Sequence, residues 1–356
     1  MDRRDFLKST GGAAVAAAAG VVSASTLAAD DALAAPALST GVRTVTLAAP
    51  WEKIPTGYAD DALRLARRIE AACEGVLRVD LVTADGPIAD TDMTLALVHR
   101  HVTDHPAFAF FAGLPGETGL SATDLDGWLI AGGGQSLWDE LAAELGIKPL
   151  LAGHTGADPV LWSRRRISSL DDLSNLPLFT RGLSADVARG LGALPVALEE
   201  AAVAPAIAAG GIDAAEWGSL VQASAIALPA AMPFGLKGAF GRGGAALALD
   251  VKLSIWERLT SIEKSAITAA ASAEFRTTLA EERAVLPMIE AAVRARFGAR
   301  IARPSPDLAA AMERIAAAVV AHAAGHDVRA NRINASYLMY RRSISARGHD
   351  EALSLV

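Results

Sequence analysis

The sequence predicts an α/β fold built from two strand–helix–strand units, followed by a helical C-terminal region. Three observations carry this prediction. Residues 42–48 and 76–82 are alternating or β-branched runs that flank an amphipathic stretch at residues 59–73. A second strand–helix–strand succession recurs over roughly residues 153–217. Beyond residue 255 the pattern becomes helical. Each β-α-β unit implies parallel strands joined by a crossover helix.

The 356-residue chain opens with Arg3-Arg4, then Phe6-Leu7-Lys8, an Ala/Gly/Val run and Ala32-Leu33-Ala34. This order is that of a twin-arginine export signal over residues 1–34. The apolar run is shorter than the roughly 20 residues needed to span a bilayer, so a cleaved signal and a periplasmic protein are expected. About 320 residues would remain, enough for two domains of roughly 150 each. The net charge of −7 argues against a nucleic-acid surface. Cys73 is the only cysteine, so no intrachain disulfide can form.

In the first unit, Ala62, Leu65, Ala66 and Ile69 repeat at helical spacing, with Arg64, Arg67 and Arg68 on the other face. Gly75 stops that helix. An apolar run at 93–98 and Pro106 to Phe111 follow. Two helical stretches then flank Gly132-Gly133-Gly134. No Lys-Ser/Thr follows the glycines, so a phosphate loop is not expected. A strand at 148–151 runs into Gly153-His154-Thr155-Gly156. The second unit places strands at 176–180, 195–198 and 212–215, the last delivering Glu216 and Trp217. A strand at 245–249 precedes helices expected at 255–273, 273–295, 306–324 and 329–342, with Pro287 kinking the second. Arg164-Arg165-Arg166 reads as a solvated basic patch.

Catalytic signatures are missing. There is no G-x-S-x-G elbow, no H-E-x-x-H helix and no paired Cys/His site. His99, His101 and His105 are spaced i, i+2, i+6, which is poor for a helical metal site. An enzyme is not expected. The residues suit the binding of a small anion instead. A carboxylate leaving water needs an Arg fork or a hard cation with protein oxygens around it. Asp158 and Glu216 can supply such oxygens, as can the Trp217 carbonyl. Trp51 and Trp162 can wall a pocket.

The order of several motifs resembles the periplasmic solute receptors of TRAP transporters, the DctP-like family, nearest the branch that binds α-keto acids and related monocarboxylates. The motifs are Ala49-Pro50-Trp51, His105 to Phe111, Gly132-Gly133-Gly134-Gln135, Ala152-Gly153-His154-Thr155-Gly156, Ile167 to Leu173, Gly190 to Val196, and Ile212 to Trp217. The resemblance implies a two-lobed periplasmic binding protein (type II-like) with crossing hinge strands and a long C-terminal helical region. Lobe 1 would hold residues 41–152 plus about 220–262, lobe 2 residues 153–219 plus about 263–300, and residues 306–345 would form C-terminal helices. It implies a small organic acid bound by Trp51, His154, Thr155, Asp158, Phe179, Arg181, Glu216 and Trp217. A Ca²⁺ or Na⁺ ion would bridge that acid to Asp158, Glu216 and Trp217, with no organic cofactor. Membrane permease subunits would be partners, and the helix at 329–342 would mediate a homodimer. A diverged receptor fold serving sensing or a protein partner is the alternative.

The chain departs from the branch at the expected ligands. Asp158 stands where Gln is common and His154 where Asn is. Phe179 occupies the position of the carboxylate-binding Arg, with Arg181 two residues later, roughly 6.6 Å along a strand. The span between Val82 and His105 is also short.

Overall fold

The structure is a computed structural model that describes residues 41–49, 58–82, 91–156, 159–238, 240–241 and 243–354. The expected export signal lies outside these residues, as does much of the short span after Val82. Two sheets organise the molecule. The first begins with β1 (Arg43–Ala48), whose parallel neighbours are β2 (Leu77–Val82) and β3 (Met93–Leu97). Helix α1 (Tyr58–Ala72) makes the crossover and buries Leu65, Ala66 and Ile69, three residues of its predicted apolar stripe. All of β3 is buried, as its continuous apolar run requires.

Three helices follow, α2 (Ala109–Ala112), α3 (Ala122–Ile130) and α4 (Gly134–Ala142). They bury a stack of aromatic rings. Phe111 lies 5.1 Å from Trp128 and 5.3 Å from Trp138, centroid to centroid. The glycine triplet forms the turn between α3 and α4 beneath Trp128 and Tyr340. It is a packing feature, with no loop around an anion.

The long β4 (Ile147–His154) closes one edge of the first sheet, and β5 (Val160–Ser163) opens the second. The second sheet adds β6 (Pro177–Phe179), α5 (Leu183–Gly190), β7 (Leu194–Pro195), α6 (Glu200–Ala208) and β8 (Ala214–Glu216). Helices α7 (Leu220–Ala225) and α8 (Leu228–Ala231) lead to β9 (Phe234–Lys237), which pairs antiparallel with β5. The chain then returns to the first sheet, where β10 (Ala246–Lys252) lies antiparallel between β3 and β4. After α9 (Leu253–Arg258) and α10 (Ser261–Phe297), β11 (Arg300–Ala302) joins β9. Helices α11 (Pro306–Ala324) and α12 (Val328–Ser354) end the described chain. The sheet orders are β2-β1-β3-β10-β4 and β11-β9-β5-β8-β6-β7. Among the described residues no helix is long and apolar enough to cross a membrane.

This is a two-lobed α/β fold whose strands pass between lobes after His154 and after Lys237. It corrects two expectations. Residues 220–237 belong with the second sheet, because β9 is the antiparallel neighbour that β5 needs. The helical break expected at Ala273 falls instead at Leu259-Thr260, where a capping box starts α10: Glu263 N–H donates to Thr260 Oγ1, and Thr260 N–H to Glu263 Oε2 (2.8 Å). Pro287 sits inside α10.

Two helices tie the lobes together. Ala266, Ile267, Ala270 and Ala271 of α10 pack into the first core, and Val293, with Leu286 and Ile289, into the second. Leu308, Ala311 and Met312 of α11 lie in the second lobe, and Val320, Ala323 and Ala324 in the first. Helix α12 then wraps the first lobe through Ala330, Ile333 and Tyr337; the Tyr337 hydroxyl donates to the Thr118 carbonyl (3.0 Å) and accepts Leu120 N–H (2.8 Å).

The fully buried Glu274 carboxylate fastens α10 to α1, accepting Arg64 Nε–H (2.8 Å) and Arg68 Nε–H (3.0 Å). Both arginines keep some solvent contact, which discounts the pair. Glu274→Ala should lower stability by about 1–3 kcal/mol. Urea denaturation checks this, and an unchanged midpoint would mean the cluster contributes nothing net.

Candidate functional site

The site forms where the two crossing segments meet. Thr155 N–H donates to the Ala245 carbonyl (2.8 Å), and Ala245 N–H donates to Thr155 Oγ1 (2.8 Å). Gly244 has φ +80°, and a Cβ there would lie 1.6 Å from the Gly156 carbonyl oxygen. Gly113, after α2, also approaches too closely for a side chain: its Cβ would lie 2.3 Å from the Gly244 oxygen. Three backbone segments thus touch with no room for side chains. His154 is buried behind them, its Nδ1 accepting Gly156 N–H (3.2 Å). Burial, with His99 nearby, pushes its pKa down to about 3, so the ring is neutral.

A cavity of about 60 Å³ lies between the lobes at this junction. At roughly 10–15 Å³ per water-sized position, it admits a solute of only a few heavy atoms. Leu97, His99 and Gly113 line it from the first lobe, Thr155, Gly244 and Ala245 from the crossings. The second lobe contributes Thr180, Arg181, Ser184, Glu200, Glu216 and Trp217.

Strand pairing sets the charged wall. In parallel β6 and β8, Phe179 lies beside Ala215, so the next rung brings Thr180 to Glu216. The Thr180 hydroxyl donates to Glu216 Oε2 (2.7 Å), and Gly241 N–H approaches Oε1 at 3.4 Å. Burial pushes the Glu216 carboxyl above its ordinary pKa, against the pull of Thr180, the Gly241 and Phe240 backbone and Arg181. Arg181 folds back over two rings. Its Cζ lies 4.6 Å from the centre of Phe179 and 5.0 Å from that of Trp217. Arg181 Nη2 is 2.7 Å from Glu200 Oε1, a charge contact, with no hydrogen bond aligned on that nitrogen.

Of the residues expected at the site, Thr155, Arg181, Glu216 and Trp217 meet at this cavity. Phe179 is buried beneath Arg181, and His154 stands behind the crossing. Trp51 and Asp158 lie outside the described residues. Trp162 is fully buried in the second core, so it walls nothing. Sequence reasoning missed His99, Thr180, Ser184, Glu200 and Gly241. Thr180 had a signal in its adjacency to Arg181; Glu200 had none. The three histidines diverge: His101 Nε2 lies 2.9 Å from Asp250 Oδ2, and His105 Nε2 lies 3.1 Å from Asp327 Oδ2. Arg165 and Arg166 are exposed, whereas Arg164 pairs with Asp213 at 3.4 Å. No group of three His, Cys, Asp or Glu among the described residues forms a metal set by itself.

Residues 123–322 match the family described as bacterial extracellular solute-binding protein, family 7. The chain belongs to this family. Residues 1–20 match the twin-arginine translocation signal sequence, so the family 7 member is exported to the periplasm by that route. A monocarboxylate 2-oxoacid-binding periplasmic protein of Nostoc sp. is 30% identical over 161 residues, which cover 45% of this chain and 44% of that protein's length. A TRAP periplasmic solute binding protein from Pseudoalteromonas atlantica, with bound sodium and pyruvate, superposes with a TM-score of 0.81 at 20% identity, over 88% of this chain and 98% of that one. One from Bordetella bronchiseptica, a mixed occupancy dimer with copurified calcium and picolinate, gives 0.80 at 20% identity, over 88% and 96%.

The glycine contact in this family 7 member generates a prediction. Gly244→Ala should destabilise by roughly 2 kcal/mol or more, combining left-handed strain with a backbone clash. Gly146→Ala, with φ +68° but nothing within 4 Å, should cost only about 1 kcal/mol. Equal losses in thermal denaturation would refute the tight crossing.

Proposed function

We propose that this protein is the extracytoplasmic receptor of a TRAP-type transporter, closing its lobes on a small organic monocarboxylate and delivering it to membrane permease subunits. The observation that carries this reading is that Arg181 and Glu216 both stand on one wall of an inter-lobe cavity too small for a large ligand. Arg181 offers N–H donors to a carboxylate, and stacking on Phe179 and Trp217 holds its plane. The placement of Arg181 at the cavity, despite Phe179 in the expected position, supports uptake over a sensing or partner-binding role.

Charge balance argues for a cation. Glu200 already compensates Arg181, so Glu216 and a ligand carboxylate would leave two negative charges in a half-buried space. The residues present fit a hard ion. Glu216 is a carboxylate at the cavity raised in pKa by burial, the situation that a cation relieves. Glu216, the Trp217 carbonyl and Asp158 would hold Ca²⁺ or Na⁺, which would supply the missing positive charge beside the ligand. The sodium with pyruvate in the Pseudoalteromonas protein and the calcium with picolinate in the Bordetella protein support this reading. A homodimer would use the outer face of α12, where Met339 is 67% exposed, since Ala330, Ile333 and Tyr337 are spent on the first lobe.

Native mass spectrometry of gently purified protein should reveal a co-purified organic acid; a ligand-free protein with no thermal shift across a panel of oxo and hydroxy acids would overturn the receptor reading. Arg181→Ala should weaken binding of a three-carbon acid by about 100-fold in calorimetry. Glu216→Gln, or chelation of divalent ions in sodium-free buffer, should weaken it comparably. Readdition of Ca²⁺ should restore only the chelated wild type.

A further inference from the structure

The charged groups at the cavity are unevenly matched. Among the described residues that line it, Arg181 carries a positive charge, whereas Glu200 and Glu216 are both carboxylates. His99 adds no charge near pH 7, because burial and the Arg181 charge push its imidazole down to about 4. Glu216 ends β8 and is engaged by the Thr180 hydroxyl. Glu200 comes from a separate element, the first turn of α6, and its Oε1 lies 2.7 Å from Arg181 Nη2. The two side chains are only 23% and 20% exposed, so water screens their contact in part.

A glutamate in a first turn suits any helix, since it faces the positive end of the helix dipole. Glu199, one residue earlier, is exposed and can serve that purpose. Contact with Arg181 at the cavity is what sets Glu200 apart. The contact divides what the guanidinium offers. Arg181 has several N–H donors but a single positive charge. Donors can be shared between two carboxylates; the charge cannot. Glu200 leaves donors for a ligand and cancels the charge that would draw a second ligand carboxylate.

We propose that Glu200 is a specificity-determining residue that confines the site to monoanions, rejecting dicarboxylates small enough to fit. This deepens the receptor reading and rests on it. With Ca²⁺ bound, the charges of Arg181, Glu200, Glu216 and a monocarboxylate would cancel. With Na⁺ the sum is one unit more negative, and the monocarboxylate is still the better match. A dicarboxylate adds a further negative charge beside Glu200, in a space where water screens it poorly. The repulsive element against the wrong ligand is thus a side chain of the site itself.

Calorimetry near pH 7 with pyruvate, lactate and oxalate tests the proposal. Oxalate has the skeleton of pyruvate with the methyl group replaced by a charged oxygen. Protein loaded with Ca²⁺ and desalted into calcium-free sodium buffer keeps oxalate in solution. The wild type should bind its tighter monocarboxylate at least about tenfold better than oxalate. Glu200→Gln, equal in shape and uncharged, should narrow that ratio by about tenfold, through tighter oxalate binding. Glu199→Gln, which removes the same charge one residue away, should leave the ratio at the wild-type value. A wild type that binds oxalate as tightly as either monocarboxylate or tighter overturns the Glu200 assignment while leaving the receptor reading intact. So does a folded Glu200→Gln with an unchanged ratio, or an equal narrowing in Glu199→Gln. A wild type that binds none of the three acids overturns both.

Discussion

The approach of two backbones at the crossing is the constraint on which the rest of the molecule depends. Thr155 and Ala245 exchange two hydrogen bonds, and Gly244 lies so close to Gly156 that any side chain would collide with a carbonyl. This contact fixes where β4 leaves the first sheet and where β10 re-enters it. It thereby fixes the distance across the cavity. A small ligand can be enclosed only where the closed walls nearly meet, and the glycines at this junction permit that spacing.

Electrostatics at the cavity follow from the same compression. Burial raises the carboxyl pKa of Glu216 and lowers the imidazole pKa of His99 to about 4 and of His154 to about 3, so both rings are neutral near pH 7. Arg181 is held by Glu200 and two rings. The outcome is an oriented guanidinium and a carboxylate on one wall, with neutral imidazoles opposite and behind.

Much of the fold was legible because its signals are local. The apolar stripe of α1, the buried run of β3 and the β8 strand ending in Glu216-Trp217 all follow from periodicity. The start of α10 was also written in the chain, as Thr260 followed three residues later by Glu263, but an unbroken apolar pattern from residue 255 masked it. Lobe membership of β9 was not legible, because it depends on pairing with β5, over seventy residues away. Arg181 shows the limit most clearly. Strand spacing places it 6.6 Å beyond Phe179, yet β6 ends at Phe179 and the chain turns at Gly182 (φ +54°), so the guanidinium folds back over the ring. His99 looked like one of three clustered histidines, and only the folded chain sets it at the cavity while His101 and His105 pair with Asp250 and Asp327.

The rods that span both lobes carry a mechanical consequence. Strand crossings alone would let the lobes swing freely, but α10 and α11 are each rooted in both cores. Pro287 removes one rung from the hydrogen-bond ladder of α10 next to Leu286, where the helix is already seated on the second core; the turns seated in the first core end near Leu279. Gaping the jaws therefore bends both rods between their two seats or draws an end of one from its socket. Bending these rods is the cost of opening or closing the cleft, and a ligand's binding energy is set against that stiffness.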